Sequence, residues 1–321
     1  MVVNIGVDCG NQHWKICLME DGRTVELRSF PDEAAAIAYL KQLCGFYPEP
    51  GLLVASTSGT NRITLSAVPR DIQNSDELLD ESPYSAQAKE ILLIAIDKLS
   101  YHSYIMPDVQ ALPDIPTFRK RHRSGMGTAR VLGAVTTLIY RLRKQEAIWQ
   151  EMRFLYMEVG YHASNIIVVE DGRIVDGICR DDGDDDMTVQ PDPDAYSAWS
   201  DHVKDSAIAE QAYWEGLTED LAGLMAIHHL EDIVIIGERK DAAIERLGDR
   251  YQFYLYPQDD SESEGFEAAI GAAIIAEGMS YAGLAAEVVE RLQLSHSLRR
   301  IGEQINQQPV AELHNQAVSI H

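Results

Sequence analysis

The sequence predicts a duplicated α/β protein of two lobes with a cleft between them, and three observations carry that expectation. The length, 321 residues, exceeds the roughly 100 to 200 residues of an ordinary single domain. Segment 8–25 matches segment 158–175 without a gap. Gly10 falls on Gly160, Ile16 on Ile166, Glu20-Asp21-Gly22-Arg23 on Glu170-Asp171-Gly172-Arg173, Val25 on Val175, and acidic Asp8 on acidic Glu158. Apolar runs of strand length also alternate with helical patterns at similar places in the two halves. The boundary falls at residue 152. It gives an N-terminal lobe, 1–152, and a C-terminal lobe, 153–321, with the C-terminal helices free to pack back on the first lobe.

Each copy opens with an apolar strand, at 2–7 and 154–159, followed by a tight turn containing glycine. A second apolar strand, at 14–19 and 165–169, leads into Asp-Gly and a third strand. Asp-Gly between two apolar runs is a hairpin signal, because both central residues of a type I′ turn need positive φ. Helical patterns follow: 32–43 after the first unit, with Pro31 before it and apolar Ala34, Ile37, Ala38 and Leu40, and 207–227 after the second. Strands are expected at 52–56 and 232–236, and a helical stretch at 129–149 joins the halves. A helix of small residues at 266–286 reads as core, with Gly271 letting a neighbouring backbone approach. The polar tail, 304–321, offers little to bury.

Composition excludes several classes of function. With 27 Lys and Arg against 51 Asp and Glu, the net charge is −24, which repels nucleic acid and anionic membranes alike. A bound phosphate compound must therefore be held by local amides, a few basic residues or a metal. The longest apolar stretch, 268–276, is bounded by Glu267 and Glu277 and is far short of the ~20 residues that span a bilayer. The four cysteines, at 9, 17, 44 and 179, form no Cys-x-x-Cys pair. With Met-Val-Val-Asn at the start in place of a basic and then apolar leader, they predict a reduced cytoplasmic protein.

The first turn, Asp8-Cys9-Gly10-Asn11-Gln12, places a carboxylate at a strand end and a glycine where a ligand can approach the backbone. Its amides suit phosphate oxygens, and Asp8 suits Mg²⁺ held through water. The plain alternative is a hairpin whose Asp and Gly merely fit the turn. A second glycine turn beside acidic Glu158 favours the ligand, since two such turns facing each other across a cleft would clamp a Mg-nucleotide.

These residues resemble motifs of the actin-like ATPase superfamily, whose fold is a duplicated two-lobe, ribonuclease H-like α/β structure with an interlobe cleft. Asp8-Cys-Gly10-Asn11 with Lys15 resembles its first phosphate motif, Glu158-Val-Gly160-Tyr-His-Ala-Ser164 its second, and Ile233-Val-Ile-Ile236-Gly237 its adenosine motif. In order, Ser56-Thr-Ser58-Gly59, Pro116 with 119–129, 171–177 and 268–278 are similar to an uncharacterised group of acetate- and butyrate-kinase-like proteins. The resemblance implies ATP and Mg²⁺ as cofactors. It implies Asp8 and Glu158 at the metal, Gly10, Asn11, Lys15, Gly160, Ser164 and Gly237 around the nucleotide, and Ser58, Gly59 and Arg123 at the acceptor. This chain departs from the pattern at Glu158, where many of these kinases have Asp, at Glu238, where a second glycine is usual, and at Cys179-Arg-Asp-Asp, which replaces a Gly-rich sequence.

Residues 119–123 read Arg-Lys-Arg-His-Arg, a dense basic run in an acidic chain that leads into a glycine-containing turn and a helix. Arginine binds carboxylate or phosphate in bidentate fashion, and Arg123 is nearest the turn; the alternative is a solvated basic face. A carboxylate acceptor is ionised at neutral pH and needs no general base, so Arg123 with Mg²⁺ suffices for acyl phosphate chemistry, whereas a hydroxyl acceptor needs a base such as Asp8 or Glu158. His13, His162, His228 and His229 show no metal-ligand spacing. The acidic 181–194 segment lacks the order of a calcium loop. The expectation is a Mg-nucleotide-dependent kinase forming an acyl phosphate from a small carboxylate, with a homodimer possible and no nucleic-acid or membrane partner. Its rivals are a non-catalytic nucleotide-binding protein of the same fold and, more distantly, a polymerising actin-like protein.

Overall fold

The computed structural model describes residues 2–10, 13–47, 51–57, 86–99, 101–123, 125–160, 163–181, 206–258 and 263–301. Asn11, Ser58, Gly59, His162, the acidic 182–194 segment and the tail lie outside them. By contacts the chain divides into two compact units. One comprises 1–112, 128–144 and 258–321, the other 113–127 and 145–257.

The first unit carries a six-stranded sheet. Its centre is β1 (Asn4–Cys9), paired antiparallel with β2 (Trp14–Glu20), which pairs antiparallel with β3 (Arg23–Phe30). On the other side β1 runs parallel to β4 (Leu52–Thr57), and β4 parallel to β5 (His102–Ile105). The second unit repeats this plan in a five-stranded sheet. Here β6 (Phe154–Val159), β7 (Ala163–Glu170) and β8 (Arg173–Asp181) form the antiparallel ribbon. The parallel strands are β9 (Asp232–Ile236) and β10 (Gln252–Leu255). The first sheet alone gains an edge strand, β11 (Arg299–Arg300), antiparallel to β5.

The duplication extends to detail. Both hairpins turn on Asp-Gly with positive φ at both residues, 48° and 70° at Asp21 and Gly22, 52° and 71° at Asp171 and Gly172, as a type I′ turn requires. Both second strands shift register at the same step, between Leu18 and Met19 and between Val168 and Val169. Nearly every residue of β1, β2, β6 and β7 is buried, and register is strongly specified wherever strand faces are buried.

Helix α1 (Glu33–Phe46) starts where Asp32 accepts a hydrogen bond from the Ala35 amide at 2.7 Å, an N-cap worth about 1 kcal/mol. With α2 (Ala86–Asp97) it covers one face of the first sheet, around Ile5, Val7, Leu40, Leu53 and Ile96. Each such fully buried aliphatic side chain contributes about 1.5–3 kcal/mol relative to exposure. In the second unit, α3 (Thr117–His122), the long α5 (Ser206–His228) and α6 (Lys240–Leu247) accompany the sheet. Its core includes Leu155, Met157, Trp214, Leu217, Leu221 and Ile233.

The other face of the first sheet is built backbone against backbone. Helix α4 (Ala129–Lys144) packs on α7 (Glu267–Ser280), and α7 lies against β1, β2 and β4. A Cβ on Gly6 would come within 2.0 Å of the Ala269 carbonyl oxygen, and one on Gly271 within 1.9 Å of that of Gly133. Small residues on α7 are therefore a packing requirement. At its far end Glu277 accepts from the Asn4 side chain and, at 3.1 Å, from the Gly22 amide, tying the helix to β1 and to the first hairpin.

Two sequence expectations need correction. The small-residue helix expected over 266–286 is two helices. It stops at Ser280, where Tyr281 is extended, and α8 (Leu284–Arg291) begins after Gly283 at φ 139°, bent by 100°. The stretch expected to be helical to 149 ends at Lys144, and Glu146 takes φ 68°, a value that a continuing α-helix does not admit. Among the described residues no single helix is long and apolar enough to cross a membrane.

Candidate functional site

In the first unit Asp8 sits one residue from the end of β1 and is fully buried. Its cross-strand neighbours are Lys15 on β2 and Ser56 on β4. The Ser56 hydroxyl donates to Asp8 Oδ1 at 3.3 Å, and Arg130 Nε donates to the same oxygen at 2.8 Å. The other oxygen, Oδ2, is buried with no hydrogen-bond partner among the described residues. A buried carboxylate oxygen without a partner is expensive to leave so. It marks a place for a donor or a cation.

Gly10 opens onto that oxygen. A Cβ there would sit 3.6 Å from Asp8 Oδ2 and 3.9 Å from Arg130 Cζ, so the space that the glycine leaves is walled by a carboxylate and a guanidinium. Lys15, on the same face, donates to the Gly265 carbonyl and lies 5.6 Å from the centre of the Phe266 ring. The donor set suits a magnesium ion, which is usually held through water by one or two carboxylates together with substrate phosphates. Among the described residues no group of three or more His, Cys, Asp or Glu gathers to form an all-protein cage.

At Gly160 the close approach of the backbone is the same and the chemistry differs. A Cβ on Gly160 would meet the Ala163 carbonyl oxygen at 3.1 Å, as one on Gly10 meets that of His13 at 3.1 Å. Glu158, like Asp8, lies one residue from its strand end, but its neighbours are Asn165 and Ile236 in place of Lys15 and Ser56. The space beside Gly160 is bordered by Glu238, whose Oε2 would lie 3.6 Å from an added Cβ. Ser164 falls inside β7, paired with Val159 and buried, rather than in the turn. Gly237 has φ 110°, and a Cβ on it would lie 2.3 Å from the Val159 carbonyl oxygen, so this glycine is demanded by close contact with β6. The turn is buttressed by Tyr213, which donates to the Gly160 carbonyl at 3.1 Å. Arg239 lies 4.8 Å from the ring centres of both Tyr213 and Trp214.

Arg123 belongs to a separate centre in the second unit. It caps the C-terminus of α3, and its Nη2 donates to Asp176 Oδ2 at 3.3 Å, while its Nε is buried without a hydrogen-bond partner among the described residues. Asp176, on β8, is itself buried and also takes Arg119 Nε at 3.5 Å, His228 Nε2 at 3.2 Å and, on Oδ1, the Gly177 amide at 2.9 Å. His228 Nδ1 meets Glu170 at 2.7 Å. Burial pushes the Asp176 carboxyl up, but hydrogen bonds from His228 and Arg123, the Gly177 amide and the Arg123 charge outweigh it, and the net shift is downward.

Sequence reading missed Arg130 and Asp176 as site residues. Arg130 had a signal: it is basic in the first turn of α4, a turn without acidic residues, where the helix dipole disfavours a cation. Such an arginine calls for a distant acid, and Asp8 supplies it.

Residues 6–181 match the model of a family described as "Protein of unknown function (DUF1464)". No curated protein sequence matches the chain. Solved structures similar to it include the inorganic polyphosphate/ATP-glucomannokinase of Arthrobacter sp. strain KM, 14% identical, covering 86% of this chain and 99% of that one with a TM-score of 0.43. The acetate kinase of Entamoeba histolytica is 12% identical, covering 83% and 98% with a TM-score of 0.44. The ethanolamine utilization protein EutJ of Carboxydothermus hydrogenoformans is 13% identical, covering 84% and 89% with a TM-score of 0.41. Values at this level bear on neither ligand nor reaction.

Proposed function

The chain belongs to the DUF1464 family, and we propose that it is a Mg-nucleotide-dependent phosphotransferase of the actin-like kind, with a small carboxylate as acceptor. One observation carries the reading: a buried Asp8 carboxylate with one oxygen held by Arg130 and Ser56 and the other without a partner among the described residues, opening onto Gly10. That is the local chemistry of a metal-phosphate site on a strand end. Bound Mg²⁺ would neutralise phosphate charge, and Asp8 would hold it through water. Gly10 leaves room for a phosphate oxygen, and Asn11 and Lys15 belong to the same turn and ladder. Glu158, Gly160 and Ser164 are the counterparts in the second copy, with Gly237 assigned to the adenosine. The acceptor is assigned to Arg123, with Ser58 and Gly59.

A second reading, a nucleotide-binding protein without turnover, is favoured by Glu238. Its carboxylate borders the space beside Gly160, where a phosphate would meet like charge. Glu238 is exposed, however, and pairs of exposed charges are typically worth 1 kcal/mol or less. An exposed glutamate also rotates away at little cost, so the kinase reading comes first.

The test is calorimetry with Mg-ATP and Mg-ADP, followed by hydroxamate trapping of acyl phosphate across short and branched carboxylic acids, with sugars and polyols in parallel. Nucleotide binding and a trapped acyl phosphate are expected. Arg123→Ala should lower turnover on the order of 10²-fold with nucleotide affinity kept, and Lys120→Ala should not. Since Arg123 also holds Asp176, thermal unfolding of each variant separates lost chemistry from lost structure. Turnover with hydroxyl acceptors alone would reject the carboxylate. No affinity for any nucleotide at millimolar concentration would reject the function.

A further inference from the structure

Asp8 and Arg130 form an ion pair of unequal members. The aspartate side chain is 1% exposed, the arginine 32%. The pair is close and direct, Nε to Oδ1 at 2.8 Å. The same guanidinium borders the glycine turn, its Cζ 3.9 Å from where a Cβ on Gly10 would stand. Arg130 thus stands between a fixed buried anion and the edge of the space proposed for a phosphate. Its helix holds it there: the Ala129 amide donates to Asp108 Oδ1 at 3.1 Å, and the Leu132 amide to the Thr128 carbonyl, so the first turn of α4 is anchored.

We propose that Arg130 is an exchangeable counter-ion. In the unliganded protein it neutralises Asp8. When a divalent cation takes the carboxylate, the guanidinium is released to the phosphate-type anion at Gly10. The inference rests on the metal-phosphate reading of the Gly10 turn and adds a specificity residue to it. Its physical basis is charge conservation in a buried place. A buried carboxylate calls for a positive partner, and a cation and a guanidinium crowded on one carboxylate repel each other. Whatever weakens the Asp8–Arg130 pair from one side therefore favours binding on the other. The coupling is reciprocal, as linkage requires: anion tightens cation and cation tightens anion. The site then selects ligands that arrive as a cation–phosphate complex over either part alone.

The signature is a pair of effects of opposite sign. Mn²⁺ is the cation probe, followed by the free-ion EPR signal, and inorganic phosphate is the anion probe, followed by calorimetry, on the full chain. Arg130→Gln removes the competing charge, so Mn²⁺ should bind at least about fivefold more tightly, the lower range of such couplings, while phosphate binds at least as much more weakly. Arg130→Lys keeps the charge and should lie between. Arg130→Gln also leaves Asp8 buried and underpaired, so it should melt below wild type, and Mn²⁺ should raise its melting temperature by more than it raises that of wild type, because the ion replaces the lost guanidinium. An arginine that merely props up Asp8 would instead weaken both ligands on removal. If Asp8→Asn abolishes Mn²⁺ binding while Arg130→Gln shifts Mn²⁺ and phosphate in the same direction, or shifts neither, the exchange is wrong and the proposed function stands. Wild-type protein that binds neither probe would remove both.

Discussion

At the residue scale, Gly10 and Gly160 share a close carbonyl approach, 3.1 Å from an added Cβ to His13 and to Ala163, and differ in the side chains that face them. Among the side chains of the described residues, Gly10 looks onto Asp8 and Arg130, one charge of each sign, and Gly160 onto Glu238. An anion is therefore better placed at the first turn. Gly10→Ala should fold, since the added methyl meets the His13 carbonyl oxygen at 3.1 Å and otherwise only side chains, and should change stability by about 1 kcal/mol or less. It should weaken phosphate on the order of tenfold, the equivalent of about 1.4 kcal/mol, by calorimetry. Glu238→Gly should tighten Mg-nucleotide by no more than about fivefold, because the carboxylate it removes is exposed and screened. A larger gain would show that Glu238 suppresses binding, and the non-catalytic reading would then lead.

At the scale of elements, the helix pair α4–α7 is held by close approach of its backbones. Gly271→Ala drives a methyl to 1.9 Å from the Gly133 carbonyl oxygen, and neither helix can yield without disturbing β1, because α7 also rests on Gly6. Overpacking of this kind costs about 1–3 kcal/mol, occasionally more, and chemical denaturation should show it. Gly45, exposed in α1, is the contrast. An added Cβ there meets nothing within 4 Å, so Gly45→Ala should stabilise by about 0.5–1 kcal/mol through helix propensity alone. Equal effects of the two substitutions would contradict the packing described for α7.

For the molecule as a whole, acid sensitivity should trace in part to Asp176. Its pKa is lowered in the folded state, so the stability it contributes is complete above the ordinary carboxylate range and is lost as pH falls through the lower folded value. Asp176→Asn leaves Arg119, Arg123 and His228 around a neutral amide. Removing one member of a buried charge network costs about 3–5 kcal/mol, and that loss should be seen near neutral pH. Wild type and variant should then converge on acidification below about pH 4, measured by urea unfolding at each pH. A difference that stays constant with pH would mean that packing, not charge, makes Asp176 important.

What the sequence determined by itself is whatever neighbouring residues decide among themselves. The Asp-Gly hairpins, the strand Asp232–Ile236 and the repetition of a three-stranded ribbon were all legible, because turn sterics and apolar runs of strand length are decided over a few residues. Asp8, Gly10 and Gly160 were legible as strand-end and turn residues for the same reason. The tertiary structure decided the rest. Arg130 reaches Asp8 across 122 positions and Asn4 reaches Glu277 across 273, and no periodicity records such pairs. The packing of α7 on the first sheet, the engagement of Arg123 by Asp176 and the break at Gly283 belong to the same class. Each depends on which surfaces chain closure brings together, and burial then makes the pairing of every charge and the fit of every small residue obligatory.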